Sequence, residues 1–217
     1  MLNSIIILLA ILLLTGLLFF EKRENRRGLL CTKTVLSLLF IVAALVQPHP
    51  IQGYAILIIA GLICCLGGDV FLALPQERMF LSGLVSFLIG HIFYVVAFVL
   101  VSDLNRFTLI GGLLTVATGP GIYVWLRPHL GTMKIPVICY IIVISFMLCG
   151  AWTTLGTPQL GVTGRVLVFA GAACFYMSDI LVARDRFLSN EFFNRLVGLP
   201  LYYLGQFLIA FSVGVMA

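Results

Sequence analysis

Apolar residues run through this chain in long blocks, not in the short alternation of a half-buried strand, and the blocks are separated by brief polar, proline- or glycine-containing breaks. A helix needs about 20 predominantly apolar residues to cross the hydrocarbon of a bilayer. Bounding the blocks by charge, proline and glycine predicts eight such helices, near 3–20, 29–46, 54–74, 80–101, 107–126, 135–152, 163–183 and 192–216. The second is the weakest, because Lys33 interrupts it, although a lysine within a turn of a helix end can snorkel to the interface. The eighth has an alternative start near Leu199, beside Pro200. In the first, the basic cluster follows the apolar run and no small-residue cleavage site is present, so a retained helix is expected in place of a signal peptide.

Composition sharpens this picture. Of 217 residues, 62% are apolar and only 10% charged, where a soluble domain carries about a quarter. The expected fold is therefore all-α, one polytopic bundle over residues 1–217, with no room for a separate soluble catalytic domain. Cys31, Cys64, Cys65, Cys139, Cys149 and Cys174 lie in or beside apolar blocks, with neither a CxxC pair nor a histidine at ligand spacing, so no disulfide frame and no metal site are expected. The net charge of +5 needs no nucleic-acid partner, because the basic residues are dispersed among loops. Lys22, Arg23, Arg26, Arg27, Lys33, Arg78, Arg127, Lys134, Arg184, Arg186 and Arg195 fall on one side of the predicted topology, and only Arg106 and Arg165 on the other. Cytoplasmic loops carry such an excess, so both termini are expected outside, with a plasma or inner membrane the simplest location.

Of the eight acidic residues, only Asp69 and Asp179 fall within apolar helices. A carboxylate at that depth costs about 2.5–3.5 kcal/mol on insertion scales, so it marks a functional site by default. Both helices run in the same direction and both aspartates are expected about one turn before the cytoplasmic end, at one level. Two carboxyls facing one cavity can divide acid from base roles. Ser82, Ser86 and Gly90 on the fourth helix and Gly61, Cys65 and Gly68 on the third allow close backbone approach, which is expected to bring His91, with Tyr94 one turn later, towards Asp69. Tyr176, Ser178, Tyr202, Tyr203 and Gln206 add polar atoms near the last two helices, Tyr202 and Gln206 sharing a face. Each of these is also the kind of residue that merely joins helices by a hydrogen bond. A weak internal echo runs through Asp69, Leu72, Ala73 and Phe80–Ser82 and again through Asp179, Val182, Ala183 and Phe187–Ser189. It predicts two parallel four-helix halves with a site between them.

The segments GGDVFLAL at 67–74, FLSGLVSFLIGHIFYVVAF at 80–98 and FYMSDILVA at 175–183 together resemble the lysoplasmalogenase (YhhN-like) family of multi-pass membrane hydrolases. The resemblance implies an eight-helix enzyme that cleaves the vinyl ether bond of alkenyl-glycerophosphocholine or alkenyl-glycerophosphoethanolamine, releasing a fatty aldehyde and a glycerophosphobase without metal or cofactor. It implies Asp69 and Asp179 as the catalytic pair, His91, Tyr94 and Ser178 as further site residues, and Tyr202 and Gln206 beside them. The substrate would be a lysophospholipid in the bilayer, its phosphate held by a basic rim to which Arg78, Arg127, Lys134, Arg184, Arg186 and Arg195 are expected to contribute, Arg184 foremost. With Arg184 and Arg186 nearby, Asp179 is expected to be the ionised member and Asp69 the acid. A proton-coupled transporter is the main rival, because intramembrane acids also build proton relays. An intramembrane aspartyl protease is disfavoured, since Leu66 stands where its GxGD signature needs glycine.

Overall fold

The computed structural model describes residues 1–217 and is helical throughout. Its long helices are α1 (Leu2–Lys22), α2 (Arg26–Leu45), α3 (Gln52–Ala73), α4 (Glu77–Val101), α5 (Arg106–Leu126), α6 (Lys134–Leu155), α7 (Val162–Phe187) and α8 (Phe192–Ser212), with two short 3-10 turns between α5 and α6. The breaks fall where local chemistry stops a helix. Glu24 turns the chain at φ 53°, and Asn25 then caps α2 by accepting from the Gly28 N–H. Asn105 and Thr108 form a capping box at the start of α5, and the Asn105 amide also donates to the Thr153 carbonyl, tying α5 to α6. The eight predicted helices are all present. The largest boundary differences are four residues at two C-termini: α7 runs on to Phe187, because Val182–Phe187 continue without a proline or glycine, and α8 stops at Ser212.

Seven helices are long and apolar enough to cross a membrane. The chain is thus a multi-pass integral membrane protein in architecture. α8 falls outside that set, carrying Asn194, Arg195, Tyr202, Tyr203 and Gln206, but four of these five are buried between helices. The bundle inverts the surface of a soluble protein: Leu109, Leu113, Val116, Ile135 and Phe146 are exposed, while a few polar residues, among them Ser37, Asp69, His91 and Gln206, are buried within a mainly apolar core. Lipid replaces water as the surrounding solvent, so this inversion carries no solubility cost. Asn3, near the start of α1, bonds Gln47, on which Gly214 packs, so both termini lie on one face.

The helices repeat as two sets of four. α1 to α4 pack in succession, α5 to α8 do the same, and the halves meet through α4 against α6 and α2 against α8. Where α3 crosses α4, a Cβ on Gly90 would lie 3.0 Å from the Gly61 carbonyl oxygen; where α7 crosses α8, a Cβ on Gly205 would lie 2.8 Å from the Gly171 carbonyl oxygen. These are backbone contacts that only glycine permits. Asp69 follows Gly61 by eight residues and Asp179 follows Gly171 by eight. Each carboxyl therefore stands about two turns beyond its own helix crossing. The expected equivalence of Phe80–Ser82 with Phe187–Ser189 does not hold in space, because Phe80 lies in the first turn of α4 and Phe187 ends α7. Their rings instead pack edge to face at 6.0 Å.

Candidate active site

Between the two halves lies a cavity of about 590 Å³, lined by Asp69 and Asp179 and extending to the face where the basic loops gather. The helical residues lining it come from the half of each helix nearer that face, with Tyr202 at the midpoint of α8. Its size matches a site for a small molecule or part of a lipid. Ile122, Ile141, Ile144 and Leu181 give it apolar walls, while Glu21, Asp185, Arg186 and Arg195 stand among the polar residues of its outer part.

The two aspartates have unequal surroundings. Asp69, 1% exposed, accepts from Ser37 Oγ and Tyr202 Oη on one oxygen, both at 2.6 Å, and its other oxygen lies 3.3 Å from Lys33 Nζ. Three donors from α2 and α8, one of them cationic, suit an ionised carboxylate. Asp179 is half-buried and has a single donor, Tyr140 Oη at 2.7 Å, with no cation bonded to it. One of its oxygens is left free beside the cavity, the arrangement of a carboxyl that can carry a proton. The cation expected beside Asp179 therefore stands beside Asp69 instead. The cation beside an aspartate is Lys33 at Asp69, and Arg184 is engaged elsewhere, donating to Asn194 at 2.8 Å and pairing with Glu191 at 3.6 Å.

A hydrogen-bond chain runs inward from Asp69. Tyr94 Oη donates to Gln206 Oε1 at 2.8 Å, Gln206 Nε2 donates to Tyr202 Oη at 3.3 Å, and Tyr202 donates to the carboxylate. Three residues singled out in the sequence thus join Asp69 in one network across α3, α4 and α8. Tyr202 is further fixed by the edge-to-face rings of Phe175 at 5.2 Å and Phe87 at 5.8 Å. Because each member orients the next, the network holds the carboxylate in one geometry.

His91 and Ser178 depart from expectation. His91 is fully buried and makes no hydrogen bond to Asp69; its ring packs edge-on against Phe175 at 4.6 Å and Tyr140 at 5.3 Å. It therefore buttresses the tyrosine that donates to Asp179. Ser178 lines the cavity, but its hydroxyl donates to the Gly198 carbonyl at 2.9 Å and joins α7 to α8. Arg184 does not line the cavity and fastens the α7–α8 turn, whereas Arg186 does line it. Lys33, Ser37 and Tyr140 escaped the sequence reading as site residues. Lys33 carries a usable signal, since an ionisable residue inside a span calls for a partner, but snorkelling to the interface accounts for its position equally well in sequence.

Comparison with known proteins gives this geometry a family context. The YhhN family matches residues 29–213. The chain is 32% identical over 160 residues to the lysoplasmalogenase TMEM86A of Bos taurus, covering 71% of this chain and 64% of that protein. It is 27% identical over 173 residues to a lysoplasmalogenase of Mycobacterium bovis, covering 77% and 62%. With the lysoplasmalogenase TMEM86B of Homo sapiens the identity is 32% over 163 residues, covering 75% and 66%. The matched part thus spans a little under two thirds of these relatives. No solved structure matches the chain.

Proposed function

Since the chain belongs to the YhhN family, we propose that it hydrolyses the vinyl ether bond of alkenyl lysophospholipids to a fatty aldehyde and a glycerophosphobase, as the name of its relatives implies. The observation that carries the reading is one cavity shared by two carboxyls, one tied to a lysine and two hydroxyls, the other held by a single tyrosine. Enol ether hydrolysis needs this inequality. A neutral acid must protonate the distal vinyl carbon, and an anion must stand by the oxocarbenium ion that results.

In the proposed sequence Asp179 gives its proton to the distal carbon, and the ether oxygen shares the positive charge with the neighbouring carbon. Asp69, already ionised, stabilises that cation and takes a proton from the water that attacks it, forming a hemiacetal. On collapse, the Asp179 carboxylate takes the hemiacetal hydroxyl proton while Asp69 returns its proton to the departing glycerol oxygen. One water is consumed and both carboxyls regain their starting states. The network from Tyr94 to Tyr202 positions Asp69, and Tyr140 positions Asp179.

The basic face would be cytoplasmic, so the cavity would open to the inner leaflet of the plasma or inner membrane. The repeated halves also suit a transporter. Aldehyde release separates the two readings, because an alternating-access transporter in one state would also open to a single face. Turnover in D₂O, with the aldehyde reduced as it forms, tests the chemistry: the reading requires one deuterium on the carbon adjacent to the former carbonyl. Aldehyde lacking that deuterium would rule out protonation of the vinyl carbon.

A further inference from the structure

The outer part of the cavity holds charges that the proposed chemistry does not use. Among the arginines and lysines that line it, Lys33 pairs with Asp69, and Arg195 pairs with Glu21 at 3.4 Å and Asp185 at 3.9 Å. Arg186 has no carboxylate partner. Its guanidinium instead lies over the Phe80 ring, 4.5 Å from the centroid, and Phe80 is braced by Phe187. A planar cation held on an aromatic face, with its donor edges unclaimed, is built to take an oxyanion in two hydrogen bonds.

Its placement relative to Asp179 gives the length of the ligand. Seven residues separate them on α7. At 100° per residue they share one face, with their Cα atoms about 10.5 Å apart along the axis. In an alkenyl lysophospholipid the distal vinyl carbon and the phosphorus are separated by seven bonds, about 8 Å when extended, taking a peptide's three bonds per 3.3–3.6 Å as the measure. With the vinyl carbon at Asp179, the phosphate falls within reach of Arg186.

The carboxylates supply the other half. Asp185 is already held by the Glu191 N–H at 3.2 Å and the Asn194 amide at 3.3 Å besides Arg195. Glu21, at the end of α1, has Arg195 Nε as its one partner, bound to a single oxygen, so its second oxygen is free beside the cavity. Arg195 bridges Glu21 and Asp185, and Asp185 adjoins Arg186. Glu21 and Arg186 thus line one cavity, with Arg195 joining Glu21 to Asp185 at its outer part.

We infer that Arg186 and Glu21 form a headgroup subsite for a zwitterion, the guanidinium on Phe80 taking the phosphodiester and the Glu21 carboxylate taking the ammonium beyond it. The inference rests on the hydrolase reading for the position of the vinyl ether. Of the basic residues expected at the rim, it gives the phosphate to Arg186 and not to Arg184.

The test is binding of uncleavable alkyl ether probes to protein in nanodiscs, using a 1-alkyl lysophosphoethanolamine, the matching 1-alkyl glycerophosphate and the matching 1-alkyl glycerol. Arg186→Gln is expected to weaken both phosphate probes about tenfold, the worth of one charge-assisted contact, and to leave alkyl glycerol unchanged. Glu21→Gln is expected to weaken the ethanolamine probe alone. Alkyl glycerol binding also reports whether each variant is folded. Equal losses on all three probes in a variant that elutes as the wild type does, or no loss on any, would overturn the subsite. If headgroup discrimination is intact but no aldehyde is released from the vinyl substrate, the subsite stands and the hydrolase reading falls. If aldehyde is released but Arg186→Gln binds every probe as the wild type does, the subsite alone falls.

Discussion

Replacing Lys33 by methionine tests the core of the site, because it deletes the charge beside Asp69 while roughly keeping side-chain volume. The pair is 3.3 Å apart, with side chains 11% and 1% exposed, so solvent screening is slight. Removing one partner of such a pair leaves an uncompensated charge and costs about 3–5 kcal/mol. Ser37 and Tyr202 still donate to Asp69, which places the expected loss near the lower end, about 3 kcal/mol. In Lys33→Met/Asp69→Asn the buried charge is gone and the amide oxygen still accepts from both hydroxyls, so most of that loss should return. The assay is thermal unfolding of detergent-purified protein at one scan rate, read for wild type, both single variants and the double variant as a cycle. The expected result is a coupling of about 2 kcal/mol or more between the two positions, with aldehyde release absent from both variants that lack Asp69. Additive effects would refute the ion pair as the device that holds Asp69.

Four further outcomes follow from the same geometry. Tyr140→Phe removes the one donor to Asp179 and should lower kcat about tenfold, the worth of one hydrogen bond, with little change in KM; an unchanged kcat would remove Tyr140 from the site. Arg184→Ala should leave KM for lysolipid within about twofold, because Arg184 does not line the cavity, while costing about 1 kcal/mol of stability through Asn194. Gly205→Leu should sharply reduce folded yield by size-exclusion chromatography, since its Cβ meets the Gly171 carbonyl; Gly112→Leu, where a Cβ meets nothing within 4 Å, should behave as wild type. Tyr94→Phe leaves Gln206 Oε1 without its donor and should destabilise by about 1–3 kcal/mol in the same unfolding assay, with activity reduced and not abolished.

Hydropathy made the helices legible, because the bilayer requires long apolar blocks and the breaks between them carry proline, glycine or charge. The two aspartates were equally legible as candidates, since a carboxyl at that depth is a functional-site hypothesis by default. Spacing correctly paired Tyr202 with Gln206, whose four-residue interval fixes a shared face. What spacing within one helix cannot give is the partner across the bundle. Lys33 looked like a residue reaching outward for the interface, and only the packing of α2 against α3 and α8 turns it towards Asp69. Arg184 and Arg186 illustrate the same limit at short range. Two residues apart on a helix they face nearly opposite ways, so proximity to Asp179 in sequence said nothing about which one enters the cavity. The repeat was visible only as a broken echo, because it is carried by glycine pairs on neighbouring helices and not by a contiguous motif.

The most direct test of the central claim is aldehyde release from an alkenyl lysophospholipid by purified protein, with choline and ethanolamine headgroups, beside Asp69→Asn and Asp179→Asn variants that elute and unfold as folded protein. The account predicts stoichiometric aldehyde and glycerophosphobase from the wild type and turnover at least about a thousandfold lower in either variant, since each loses one of two acid-base groups acting on the same bond. Comparable turnover in either asparagine variant, or none in folded wild type with both headgroups, would contradict it.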